Sequence, residues 1–363
     1  MIKSSIFPSK YLQGAGTINQ LAELTSDFGK KPLVICSPSM FNNIVPKITG
    51  NSTKFDDFHF EKFNGQASYE EINRLTEIAR QNKNDFVIGF GGGKTIDTAR
   101  VVANNLLLQV VVIPSIASTD APTAAVSVVY TEKGEVQEIL TFKRNPDLVL
   151  IDTEIIVQAP TRFLVSGMGD ALSTWIEAEA CMVNHRNNVN GYLGTLTAYS
   201  IAELCYNTIL DYGYAAKLSN EAKVVTPAFE NIVEANTLMS GIGFESGGLA
   251  GSHAIHNGFC VLPETLPFYH GEKVAFGLLA SLFLTDKPQE LIEELYSFCE
   301  KVGLPTTLKE IGINDASKEK IMRVAKRSCQ GNESIFNDSL NVTPEEVFSA
   351  IMLADIFGRD RRK

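Results

Sequence analysis

No two of the six cysteines form a CxxC pair; Cys36, Cys181, Cys205, Cys260, Cys299 and Cys329 are scattered through mostly apolar surroundings. That spacing argues against zinc clusters and a disulfide framework, and free, buried thiols in a reducing compartment are expected. Basic patches are also missing. The net charge is −10, which disfavours nucleic acid and anionic membranes as partners, and the basic tail Arg359 to Lys363 is only a short end. The opening Met1-Ile2-Lys3-Ser4-Ser5 has no apolar signal core, and the longest mostly apolar run, Val274 to Leu284, is too short to span a bilayer. The expectation is a soluble cytoplasmic protein. No repeat or low-complexity segment interrupts the chain, whose 363 residues, 44% hydrophobic, suffice for two domains with their own cores.

Histidine is scarce too, and its distribution is uneven. Of five histidines, three fall between Gly251 and Lys273. His253 and His256 are at i, i+3 and share one face of a helix. Pro263 and Pro267 separate them from His270, which must come from another segment. A divalent metal is the usual reason for such histidines to meet, and it normally recruits a carboxylate. Asp170, in Gly167-Met168-Gly169-Asp170-Ala171, is the candidate. It stands where a long helical pattern starts, so it also suits a helix N-cap, and the two roles are compatible. Hydrogen-bonded core histidines are the alternative, because no HExxH-type pattern is present.

The first 150 or so residues alternate strand and helix. Strands are expected at Pro32 to Cys36, Phe86 to Phe90, Gln109 to Ile113 and Leu148 to Ile151. Helices are expected after the capping box Ser68 to Glu71, with Ile72, Leu75 and Ala79 on one face, and from Lys94 to Leu107. Val126 to Thr131 and Val136 to Phe142, turning at Lys133-Gly134, read as an inserted hairpin. This βαβ rhythm implies a mostly parallel sheet. From about Pro160 only helical periods remain, at Gly169 to Met182, Tyr192 to Asp211, Lys223 to Met239, Glu272 to Leu284, Pro288 to Val302 and Pro344 to Phe357. The expected architecture is an α/β dinucleotide-binding domain over residues 1–157 and an all-helical domain over 158–363.

Gly91-Gly92-Gly93-Lys94-Thr95-Ile96-Asp97 lies where a strand hands over to a helix. It matches neither a Walker loop nor GxGxxG. Three glycines exceed what a tight turn requires, and they suit close approach of a phosphate or dinucleotide to a helix N-terminus. The loop Ser115 to Thr123 follows the next strand and should lie beside it, where ligands of open α/β sheets bind. Asp120 in that loop suits a substrate hydroxyl or a turn near Pro122.

These segments together resemble the metal-dependent, iron-containing-type alcohol dehydrogenase superfamily, and within it the glycerol dehydrogenases. The resemblance is carried by the glycine loop, Ala117-Ser118-Thr119-Asp120-Ala121-Pro122, Gly169-Asp170-Ala171 and Gly243-Phe244-Glu245-Ser246-Gly247-Gly248-Leu249. It continues through His253-Ala254-Ile255-His256-Asn257-Gly258 and His270-Gly271-Glu272-Lys273-Val274-Ala275-Phe276-Gly277, in order along the whole chain. It implies a zinc ion, or Fe2+, held by Asp170, His253 and His270, with His256 lining the pocket. It also implies NAD bound by Gly91, Gly92, Gly93, Lys94, Asp97, Ser115, Ser118, Thr119, Val126 and Tyr130, with Asp120 contacting a diol and His256 relaying its proton. Oxidation of glycerol to dihydroxyacetone and a homo-oligomer, commonly an octamer, are further implications. Ser37 departs from the family's acidic residue on the adenosine ribose, which leaves NADP open, and Ala124 replaces a frequent serine near the nicotinamide.

Three rival readings share parts of this pattern. Dehydroquinate-synthase-like lyases and glycerol-phosphate dehydrogenases should place Lys and Arg around the metal, where this chain offers mainly Lys273. A hydroxycarboxylate dehydrogenase of the same superfamily needs only a changed pocket residue. A metal- and nucleotide-binding protein without turnover would not need all three ligand candidates.

Overall fold

The computed structural model describes residues 1–50 and 53–363. Its strands are β1 (Tyr11–Gly14), β2 (Pro32–Cys36), β3 (His59–Lys62), β4 (Phe86–Gly91), β5 (Gln109–Pro114), β6 (Val126–Tyr130), β7 (Val136–Thr141) and β8 (Leu148–Asp152). Helices α1 (Leu21–Leu24), α2 (Pro38–Asn43), α3 (Val45–Thr49), α4 (Tyr69–Asn82) and α5 (Gly93–Leu106) belong to the same half. The remaining helices are α6 (Thr153–Gln158), α7 (Thr161–Val183), α8 (Leu196–Glu221), α9 (Pro227–Glu234), α10 (Ser240–Gly247), α11 (Gly251–Phe259), α12 (His270–Leu284), α13 (Gln289–Val302), α14 (Lys318–Ser328) and α15 (Pro344–Asp360).

Six strands form one parallel sheet in the order β1-β8-β5-β4-β2-β3. Its central strands β2, β4 and β8 are buried along their whole length, which explains their unbroken apolar runs. The two edge strands, Tyr11-Leu12-Gln13-Gly14 and His59-Phe60-Glu61-Lys62, carry no such run and escaped the sequence reading. Short, polar edges are how sheets limit further pairing. The expected hairpin is β6–β7, antiparallel, between β5 and β8.

Three local expectations are corrected. Ser68 accepts a hydrogen bond from Glu71 N, but the Glu71 carboxylate reaches Asn64 N at 3.0 Å and Arg74 instead of closing a capping box. Asp170 is no N-cap: α7 begins at Thr161, and Asp170 lies in its interior. Gly167 and Gly169 resemble a helix boundary but serve close packing. A Cβ at Gly167 would lie 2.2 Å from the Ala117 carbonyl oxygen, and one at Gly169 would lie 2.4 Å from that of Gly271.

The segment expected to be one helix over Lys223 to Met239 starts at Pro227, after the Thr226 cap. It runs through a π-helical turn, Ala235–Met239, into α10. That turn faces the loop after β5. Asn236 donates to the Ala117 and Leu164 carbonyls, both at 3.0 Å, and the Thr237 carbonyl accepts from Thr123 Oγ1 at 2.8 Å. Among the described residues, no helix is long and apolar enough to cross a membrane.

Candidate active site

Backbone contact between α7 and α12 builds the site. A Cβ at Gly271 would fall 1.8 Å from the Ser166 carbonyl oxygen, so the two helices touch without intervening side chains. Glu272 fixes the start of α12 by accepting from Tyr269 N at 2.8 Å and from Arg162 of α7 at 2.5 and 2.8 Å. His270, the first residue of α12, is thereby set against Asp170 of α7. His253 joins them from α11, whose Ser252 carbonyl would lie 2.5 Å from a Cβ at Gly277 of α12.

Asp170 Oδ1 lies 3.4 Å from His253 Nε2 and 3.1 Å from His270 Nε2. One ligand atom from each of these three residues falls within 4.8 Å of the others, and they form a group able to hold a metal ion. Asp170 Oδ1 is buried without a hydrogen-bond donor. The hydrogen-bond partners explain why neither histidine supplies one. Glu177 Oε2 lies 2.6 Å from His253 Nδ1, which must donate and leaves Nε2 a bare lone pair.

A second chain of partners fixes His270. Asn257 donates from Nδ2 to Glu333, so its Oδ1 faces His256 Nδ1 at 3.1 Å and makes that nitrogen the donor. His256 Nε2 then accepts from His270 Nδ1 at 3.1 Å, and His270 Nε2 is left bare. Three lone-pair atoms converge on one point with no hydrogen between them, an arrangement that a divalent cation fits.

The electrostatics call for positive charge at this point, which either a protonated imidazole or a divalent cation supplies. Burial disfavours charge on Asp170, but His270 and His253 outweigh it and hold the carboxyl well below its usual range. Burial likewise opposes charge on His253, and Glu177 with Asp170 overcomes it and raises the pKa well above normal. Burial, His270 and Lys273 push His256 well down, so it is the neutral imidazole that its hydrogen bonds require.

Asp120 borders this group. Its backbone N donates to Asp170 Oδ2 at 3.3 Å, and its own Oδ2 accepts from Ser240 Oγ at 3.0 Å. Burial, then the Asp170 charge, raises the Asp120 pKa well above the usual value.

The other candidates gather at the carboxyl ends of β2, β4 and β5. Ser37 N donates to Phe90 O, and Ser115 N donates to Gly91 O, both at 2.9 Å. Gly91 is pressed between Thr95 and Ser37, where a Cβ would meet Ser37 Cβ at 2.8 Å. Gly92 caps α5 and no side chain hydrogen-bonds to that helix start; a Cβ on Gly93 would meet nothing within 4 Å. A helix N-terminus without a side-chain cap, with open space at Gly93, suits a pyrophosphate.

Lys94 Nζ sits over the Tyr130 ring at 4.9 Å, bringing the hairpin to this mouth. Burial, Asp97 and Cys260 push the Tyr130 hydroxyl up to about 12. Asp97 is buried, 3.6 Å from Arg100, which donates to the Val126 carbonyl at 2.9 Å. Burial raises Asp97 to about 6 despite that guanidinium. Ser118 accepts through its carbonyl from Ser166 Oγ at 3.3 Å, Thr119 and Val126 are half-buried, and Ala124 is buried.

Glu177, Asn257, Glu333 and Ser240 were not found from sequence. Glu177 carries the one usable signal, lying two turns after Asp170 on the same face of α7. Its Oε1 also accepts from Ala250 N at 2.8 Å and His253 N at 3.0 Å, so it orients both the ring and the start of α11. Glu177→Gln keeps an acceptor for those amides but presents an NH2 to His253 Nδ1. The ring must then carry its proton on Nε2, facing Asp170. Metal affinity is expected to fall about 10- to 100-fold, checked by competition with a chromogenic chelator; an unchanged affinity would remove Glu177 from this role.

The profile of the family described as iron-containing alcohol dehydrogenase matches residues 8–153. Full-length similarity extends this assignment to the whole chain, which belongs to the iron-containing alcohol dehydrogenase family and is an oxidoreductase. It is 54% identical over 362 residues to the glycerol dehydrogenase of Thermotoga maritima, covering 100% of this chain and 99% of that one. It is 49% identical to the glycerol dehydrogenase of Citrobacter freundii, covering 99% of each. The solved structure of a probable glycerol dehydrogenase from Sinorhizobium meliloti 1021 superposes with TM-score 0.92 at 41% identity, covering 99% of this chain and 100% of that one.

Proposed function

We propose that the protein oxidises a small vicinal diol, glycerol to dihydroxyacetone, with transfer of hydride to NAD and with zinc held by Asp170, His253 and His270. The observation that carries this reading is the convergence of three ligand atoms, one of them the buried and donor-free Asp170 Oδ1, within 4.8 Å of one another. Two imidazoles and a carboxylate suit Zn2+ or Fe2+. When bound, the cation supplies Lewis-acid polarisation of a substrate hydroxyl. The nicotinamide is the hydride acceptor.

The chain's own residues do the rest. Gly92, Gly93 and Lys94 hold the pyrophosphate at the start of α5, with Ser115, Ser118 and Thr119 alongside. Ser37 hydrogen-bonds the adenosine ribose, and no arginine or lysine stands among Pro38, Ser39 and Met40 to attract a 2′-phosphate, so NAD is preferred over NADP. Tyr130 and Val126 close the mouth from the hairpin. Asp120, held by Ser240, contacts the second hydroxyl. His256 lines the pocket and orients His270 by accepting from its Nδ1 at 3.1 Å. In this scheme residues 1–157 carry the cofactor and residues 158–363 carry the metal. Exposed Leu204, Tyr214 and Leu218 on α8 support self-association into a homo-oligomer.

The test is NADH formation from glycerol and NAD by zinc-loaded protein, repeated after chelation and after restoring zinc or ferrous iron. Activity is expected with zinc, lost on chelation and regained on zinc addition. Absence of NADH formation from glycerol, or full activity in metal-free protein, would overturn the reading. Recovery with iron alone would replace zinc.

A further inference from the structure

Five of the six cysteines are buried or half-buried, whereas Cys260 is exposed. It caps the C-terminus of α11, one turn beyond His256. Its Sγ lies 3.7 Å from His256 Nε2 and 3.5 Å from Lys273 Nζ, which donates to it. Lys273 is only 6% exposed. Among the described residues its ammonium has the Cys260 sulfur as its one hydrogen-bond partner, and no carboxylate pairs with it. A buried cation without a counter-charge is costly, so Lys273 calls for an anion at the place where the sulfur sits. A sulfur carrying negative charge, or an oxygen anion attached to it, supplies one.

We propose that Cys260 is a covalent modification site at which hydroperoxides oxidise the sulfur to a sulfenic acid. The sulfur attacks the distal peroxide oxygen. The S–O bond forms, the O–O bond breaks, and the thiol proton leaves with the other oxygen, as water from hydrogen peroxide or as the alcohol from an organic hydroperoxide. Sulfur loses two electrons and the peroxide gains them. Lys273 favours this step because its charge stabilises the negative charge on the attacking sulfur and then that on a sulfenate oxygen. Among the described residues, no lysine ammonium hydrogen-bonds to any of the other five cysteines, and most of those lack access.

The added oxygen would stand beside His256 Nε2, where it competes for the hydrogen bond from His270 Nδ1 and crowds the mouth opposite Tyr130. Oxidation therefore stops turnover. This last consequence rests on the activity proposed above; the chemistry at sulfur does not.

Zinc-loaded full-length protein is treated with hydrogen peroxide in the presence of dimedone, which traps sulfenic acids, and adducts are located by peptide mass mapping. Activity is followed in parallel in wild type, Cys260→Ser and Lys273→Met. One dimedone adduct on Cys260 is expected, formed about tenfold more slowly in Lys273→Met. Loss of activity should follow adduct formation, be reversed by a thiol reductant when dimedone is omitted, and be absent in Cys260→Ser. Adducts arising first at Cys329 or another thiol, or formation at the wild-type rate in Lys273→Met, would overturn the assignment. Inactivation of Cys260→Ser at the wild-type rate would overturn the link to turnover. The mass readout holds whether or not glycerol is the substrate, so a wrong substrate and a wrong modification site give different results.

Discussion

Asp170→Ala is expected to release the metal and to lower kcat/KM with glycerol by about a thousandfold or more, as loss of several kcal/mol of polarisation requires. The fold should survive. Asp170 is wholly buried, and of its two oxygens only Oδ2 accepts a hydrogen bond, from Asp120 N at 3.3 Å, so its removal is expected to take away an ion ligand rather than a strut. His270→Ala should act alike, because His270 Nε2 is the second arm of the same site, 3.1 Å from Asp170. The measurement is metal per chain by elemental analysis after dialysis, together with activity and a thermal melt. A variant that keeps its zinc and its turnover would show that these residues form a polar core cluster. Loss of both together with collapse of the melt would show that the carboxylate holds up the helices.

Gly271→Ala should be the most damaging substitution of a single hydrogen atom in the helical half. The new methyl would meet the Ser166 carbonyl oxygen at 1.8 Å, its carbon at 2.7 Å and Asp170 N at 3.0 Å, all of them backbone. No rotamer change relieves that overlap, so α12 must move off α7. Overpacking of this kind costs about 1–3 kcal/mol, and the movement carries His270 away from Asp170. A lower melting temperature and a weaker metal affinity are expected together. Gly93→Ala is the control, since its methyl would meet nothing within 4 Å. It should leave the melt intact and raise KM for NAD. If Gly271→Ala melts and binds zinc like wild type, the close approach of α7 and α12 is not what positions the site.

The buried centre of the sheet was legible because β2, β4 and the Leu148 to Ile151 run of β8 are buried and apolar, while the edges β1 and β3 were not, because edges need polarity. The three residues that the fold brings together as candidate metal ligands, Asp170, His253 and His270, were singled out by histidine clustering and resemblance. Their support was harder to see. Glu177 and Asn257 look like ordinary helix residues until the fold shows that they decide which ring nitrogens keep a lone pair. The start of α7 was misplaced because Gly167 and Gly169 signal a boundary in sequence. In space they mark where another chain segment comes against the helix backbone. Nor did composition reveal Cys260, since exposure of one thiol among six depends on the turn that ends α11.

The π-helical turn between α9 and α10 makes residue count itself a determinant of the site. Each residue of an α-helix advances the angular position by about 100°, and one residue added within a turn rotates everything downstream by about that much. Upstream of Ala235–Met239, Phe229, Ile232 and Val233 point into the core. Downstream, Ser240 reaches Asp120, and Glu245 accepts from Ala125 N at 2.7 Å. The single rod thus carries two phases, one for packing and one for the loop. Phase is invisible to a residue-by-residue substitution scan, because no individual side chain encodes it. It belongs to the length of the segment, so this helix tolerates changes of letter better than changes of number.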